Sequence, residues 1–114
     1  MREKPLTLNR ERNLHRMQRA KFVAHWREQF GWLAREAKMQ PAGWLHVSAV
    51  PFQRRGPLQD VSSCHPSVKA AVDGLVDIGI IPDDTADYLP AVTYLPAQRG
   101  DDALTLVVEC YREE

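Results

Sequence analysis

The sequence predicts an α+β fold, a small mixed sheet covered by two helices, and three features carry that expectation. Apolar residues recur at helical spacing in two separate stretches, an alternating apolar run lies between them, and two more strand-like runs close the chain. Elements with these periodicities bury their apolar faces by packing against one another. The whole of residues 1–114 reads as a single domain, long enough to bury roughly two thirds of the surface its unfolded chain exposes.

Taken in order, Leu6-Thr7-Leu8 reads as a short strand and Asn9 to His15 as a polar loop. From Arg16 to Lys38, Phe22, Trp26, Phe30, Leu33 and Ala37 are spaced by four, four, three and four residues, which gives a helix one apolar face. Arg19, Arg27 and Arg35 lie on its outer side, and Pro41 and Gly43 stop it. Trp44 to Phe52 alternates through Leu45, Val47 and Ala49, a strand expected to break at Pro51 because proline donates no ladder hydrogen bond. Gln53 to Pro57 then forms a basic loop. A second helix starts near Pro66, a residue whose missing amide hydrogen costs nothing at the first helical position. It buries Val68, Val72, Leu75 and Val76, sets Lys69, Asp73 and Asp77 four residues apart on another face, and ends at Gly79. Tyr88 to Leu95 and Ala103 to Tyr111 read as the last strands, joined through Arg99 to Asp102.

A composition of 44% hydrophobic and 26% charged residues is that of an ordinary globular domain, and no apolar run approaches the ~18 residues of a membrane span. Met1 to Arg16 is charged throughout, unlike a signal peptide, and Cys64 and Cys110 fit no metal-binding spacing. Both cysteines read as reduced thiols, with Cys64 a small buried hydrophobe, and the expected location is the cytoplasm. The zero net charge conceals a division. Residues 1–56 hold 12 Lys/Arg against 4 Asp/Glu, a net +8, and residues 57–114 hold 3 against 11, a net −8. A basic half attracts polyanions while an acidic half concentrates metal-binding oxygens.

The chemistry-bearing stretch runs from Asp60 to Asp84. One carboxylate precedes the Lys69 helix and the pair Asp83-Asp84 follows it. Carboxylates suit Mg²⁺, a hard ion that binds one or two of them and fills its other positions with water and substrate phosphate. Lysine beside such a group binds phosphate. Each residue also has a plainer use: Pro-Asp-Asp-Thr is turn chemistry, Lys69 and Asp73 form a surface ion pair, and His65 caps a helix. Asp60 and Asp84 meet only if the chain doubles back after Gly79, since a helix of about 14 residues is ~21 Å long. Phosphate contacts fall to Arg10, Arg12, Arg16, Arg19 and Lys21, with Arg54 and Arg55 as a second group; Trp32 is a candidate for base stacking, whereas Trp26 belongs to the apolar stripe.

These residues also carry a likeness. Leu6-Thr7-Leu8-Asn9 with Arg12 and His15, Gln59-Asp60-Val61, the run from Pro66 to Leu75, and Gly79-Ile80-Ile81-Pro82-Asp83-Asp84 resemble the RusA-like Holliday junction resolvases, most closely their short actinobacterial and phage versions. The resemblance covers nearly the whole chain. It implies a homodimeric α+β endonuclease that uses Mg²⁺, with Mn²⁺ as an alternative, to cut four-way DNA junctions during recombination and repair in a bacterial or phage-infected cell. By that likeness Lys69 matches the catalytic lysine, Asp84 the essential second aspartate of the terminal pair, Asp83 the acidic position beside it, and Asp73 the helix aspartate. Better-known members carry Asp-x-Asp-Asn-x-x-Lys, and here Ser63, His65 and Pro66 stand at the upstream positions. Asp60, nine residues before Lys69, is the nearby carboxylate that can replace them. The expected site is therefore Asp60, Lys69 and Asp84 for catalysis, Asp60, Asp83 and Asp84 for the metal, and Asp73 in support. A rival expectation is a catalytically silent module on the same fold, binding DNA or a host protein.

Overall fold

A computed structural model describes residues 1–112. Its elements are α1 (Leu8–Arg12), α2 (Arg16–Glu36), β1 (Trp44–Gln53), α3 (His65–Asp77), β2 (Ala91–Tyr94), β3 (Gln98–Arg99) and β4 (Ala103–Tyr111). The alternation of Leu45, Val47 and Ala49 becomes a central strand, with these side chains buried and the intervening Trp44, His46 and Ser48 half-buried. β2 and β3 pair parallel with successive parts of β1, at His46–Ala49 and Phe52–Gln53, and β4 runs antiparallel along its other side. α2 and α3 pack against the buried face. Trp26 and Phe30 from α2, Val68, Ala71 and Val72 from α3, Ala49 and Leu104 form one core cluster; Ala34, Leu45, Leu75, Ile80 and Ile81 form a second. The result is the expected α+β class, as an open four-stranded sheet with three helices.

Four details differ from the sequence reading. Leu6-Thr7-Leu8 is not a strand: the Leu6 amide donates to Ser67 Oγ at 2.6 Å and the Leu8 amide to the Ser63 carbonyl at 2.9 Å. Thr7 instead caps α1 by accepting from the Arg10 amide, so part of the expected loop is helical. α2 ends at Glu36, ahead of Pro41, where Lys38 takes a left-handed φ of 56° and the Met39 amide closes on the Ala34 carbonyl. Its buried stripe is Trp26, Phe30, Gly31 and Ala34, with Leu33 and Ala37 exposed. β1 runs through Pro51. There Leu104, opposite, turns both backbone groups outward to Met1, at 2.8 and 2.6 Å, so Pro51 faces the other side, in the gap between β2 and β3 where no amide is required. Finally, the expected strand from Tyr88 to Leu95 is confined to Ala91–Tyr94, and the two residues of β3 lie beyond Pro96.

α3 follows its sequence signals closely. Pro66 lies in its first turn, and Gly79, at φ 81°, allows the Ile80 amide to bond the Leu75 carbonyl. It crosses α2 with backbone nearly touching backbone: a Cβ on Gly74 would lie 2.3 Å from the Arg27 carbonyl oxygen. That crossing fixes the orientation of the helix that carries the candidate site.

Candidate functional site

Lys69 and Asp73 project from the exposed side of α3 because Val68, Ala70, Ala71, Val72 and Leu75 occupy its buried side. The chain then turns at Gly79, and buried Ile80 and Ile81 anchor the segment that returns along the helix. Ten residues of helix rise about 15 Å and five extended residues span at most ~17 Å, so a nearly straight return can bring Asp84 level with Lys69. It does so. The Lys69 ammonium donates to Asp84 Oδ2 and, at 3.1 Å, to Asp73 Oδ1. The hydrogen bond to Asp84 raises the Lys69 pKa above its ordinary value and lowers that of Asp84, so both groups stay charged across the neutral range. An ammonium has three hydrogens, which leaves one for a phosphate oxygen.

Of the expected metal set, Asp84 is at this site, and the Asp83 carboxylate accepts the Asp84 amide at 2.8 Å, the turn chemistry of Pro-Asp-Asp. Asp60 lies exposed in the turn before α3, and its carboxylate makes no hydrogen bond or ion pair with the others among the described residues. No group of three or more His, Cys, Asp or Glu among the described residues is arranged to hold a metal ion. Asp73 and Asp84 nevertheless converge on one cation.

Ser63 and His65 stand at the two positions where the resemblance implies upstream aspartates. The Ser63 carbonyl accepts the Leu8 amide, and His65 Nδ1 lies 2.7 Å from the Tyr94 hydroxyl. Cys64 between them is buried, and burial pushes its thiol pKa up to about 11, as suits a small hydrophobe and not a nucleophile. Trp26 is fully buried in the core.

Arg10, Arg12, Arg16, Arg19, Lys21, Arg54 and Arg55 are all exposed, and none is in an ion pair among the described residues. They form two groups. The first five lie on α1 and the start of α2, where the Arg10 guanidinium sits 5.7 Å over the Phe22 ring. Arg54 and Arg55 follow β1 and line a groove with Lys4 and Asp102.

Two clusters escaped the sequence reading. Arg27 on α2 makes a two-pronged contact with Asp77 on α3, through Nε to Oδ2 and through its terminal nitrogen to Oδ1 at 2.6 Å. On the half-exposed face of the sheet, His46 lies 2.9 Å from Glu109 and 2.7 Å from Thr93, while Tyr111 donates to Glu109 and stacks on Trp44 at 3.9 Å. The signal for this second cluster was the β1–β4 register, which pairs His46 with Glu109 and Trp44 with Tyr111.

Fold and site together define a small α+β protein with a lysine held between two aspartates on the exposed side of one helix. No family model, no curated protein and no solved structure matches the chain.

Proposed function

We propose that the protein is a structure-selective DNA endonuclease of RusA-like type, acting on four-way junctions with Mg²⁺. The observation that supports it is the contact between Lys69 and Asp84, 15 residues apart, with Asp73 on the same ammonium. Lys69 holds the scissile phosphate through its third hydrogen. Asp84 and Asp73 keep that ammonium charged and aimed, and their carboxylate oxygens not bonded to Lys69 are the ones that would hold a metal ion beside it. Bound there, Mg²⁺ supplies charge neutralisation at the departing oxygen and a water of lowered pKa. Cleavage of a labelled synthetic junction in Mg²⁺ or Mn²⁺ tests the reading.

A second reading has its own observation. With serine and histidine at positions 63 and 65, and Asp60 making no contact with Lys69 or Asp84, the carboxylate set is smaller than the resemblance implies, which favours a module that binds junction DNA or a host protein without turnover. Junction binding without cleavage in either metal would select it.

Two expectations follow for the assembly and its ligand. Paired cuts on a junction call for two sites related by a two-fold axis, so sedimentation at micromolar concentration should give a dimer; a monomer that still binds junctions contradicts this. Phosphate contacts release counterions, so affinity should fall steeply with salt. Arg12→Ala combined with Arg16→Ala should flatten the plot of log affinity against log salt by about 2, and an unchanged slope would make these arginines mere surface charge.

A further inference from the structure

α3 is buried on most of its circumference, through Pro66, Val68, Ala70, Ala71, Val72 and Leu75. One narrow stripe stays accessible. It consists of His65, Lys69 and Asp73, one per turn at four-residue spacing, and beyond it the exposed Asp77 is held by Arg27. The chain that follows the helix meets this stripe at two points. Asp84 meets Lys69, and Tyr94 at the end of β2 meets His65, its hydroxyl 2.7 Å from Nδ1. Tyr94 is half-buried and packs against the first core cluster, so its hydroxyl is a fixed partner that orients the imidazole. His65 itself is exposed, and its Nε2 makes no hydrogen bond among the described residues.

We infer that His65 is a catalytic residue of the same site, giving a proton from Nε2 to the oxygen that departs from phosphorus, with Tyr94 as its positioning residue. Resting on the endonuclease reading above, this role is one that reading leaves unfilled, because an alkoxide departs slowly unless it is protonated as it leaves. Spacing places the donor. Residues one helical turn apart stand about 6 Å between Cβ atoms, so Lys69 and His65 reach different oxygens of one phosphodiester. Chemistry selects it. Lys69 keeps its proton because the hydrogen bond to Asp84 raises its pKa, the same contact holds Asp84 ionised, and burial raises the pKa of Tyr94. Imidazole is the side chain that ordinarily gains and loses a proton near neutrality. The groups around it are Tyr94, Lys69 on the next turn and the neighbouring Cys64, a buried neutral thiol. In the step, a water oxygen bonds to phosphorus and sheds a proton to solvent. The bond from phosphorus to the bridging oxygen breaks, its electron pair goes to that oxygen, and the Nε2 proton of the imidazolium completes the alcohol. His65 is left neutral with Nδ1–H still donated to Tyr94, and it takes its proton back from solvent.

The test is single-turnover cleavage of two four-way junctions, one natural and one with sulfur in place of the departing bridging oxygen, whose position the product ends reveal. A thiolate is far less basic than an alkoxide and leaves without a proton. His65→Gln should slow cleavage of the natural junction about a hundredfold and cut the sulfur junction at close to the wild-type rate. Tyr94→Phe should slow the natural junction about tenfold and also spare the sulfur junction, a leaving-group dependence that a merely structural role would not produce. His65 is exposed and Tyr94→Phe keeps the ring that packs on the core, so both variants should keep the wild-type circular dichroism. If His65→Gln cuts the natural junction at the wild-type rate, or is slowed equally on both substrates, the proton-donor role is overturned and the endonuclease reading stands. If the wild type cuts no junction, both fall together.

Discussion

Gly74→Ala should lower the stability of the fold by about 3 kcal/mol and its melting midpoint by roughly 10–20 °C. The added Cβ would lie 2.3 Å from the Arg27 carbonyl oxygen and 3.2 Å from both the Arg27 carbonyl carbon and the Gly31 nitrogen. Those atoms are backbone and have no rotamer to escape into, so α2 must slide off α3. Trp26 and Phe30 would move with it, and they are the largest α2 contributions to the core. Urea or thermal unfolding checks this, and a midpoint within a degree of the wild type would contradict the close crossing. The effect is expected on folding first and on any site chemistry second, because α3 carries Lys69 and Asp73.

How much of this was legible in the sequence differs from element to element. α3 was legible at both ends because Pro66 and Gly79 act locally, one through its missing amide hydrogen and the other through its left-handed backbone. β1 and β4 were legible from alternation. Leu6-Thr7-Leu8 was not, since three residues of alternation cannot outweigh the local hydrogen bond by which Thr7 caps a helix. Pro51 misled for a tertiary reason: its side of β1 happens to face the gap between two partner strands. The candidate site divides the same way. The spacing of Lys69 and Asp73 on one helix face fixed their meeting, whereas that of Asp84 depended on how Ile80 and Ile81 bury and return the chain. Asp60 stays apart because the turn before α3 leaves it in solvent, a direction that no spacing rule conveys.

Asp84→Asn should reduce junction cleavage at least about a hundredfold while leaving junction binding close to that of the wild type. The amide keeps the size of the side chain but removes the negative charge that holds Lys69 and, on the proposed reading, the cation. Loss of the ion pair should cost little stability, because the Lys69 side chain is 52% exposed and solvent screens such pairs. A fall in rate therefore reports chemistry and not unfolding. Lys69→Ala should slow cleavage with less effect on metal dependence, since the ammonium addresses the phosphate and not the metal ion.

On the proposed function Lys69, Asp73 and Asp84 act together on a DNA phosphate. Its most direct test is single-turnover cleavage of an end-labelled four-way junction in Mg²⁺ by the wild type and by Asp84→Asn under identical conditions. Paired, symmetric cuts by the wild type and only bound, uncut junction with the variant are expected. Equal rates for the two proteins, or a wild type that binds the junction yet leaves it intact in both Mg²⁺ and Mn²⁺, would contradict it.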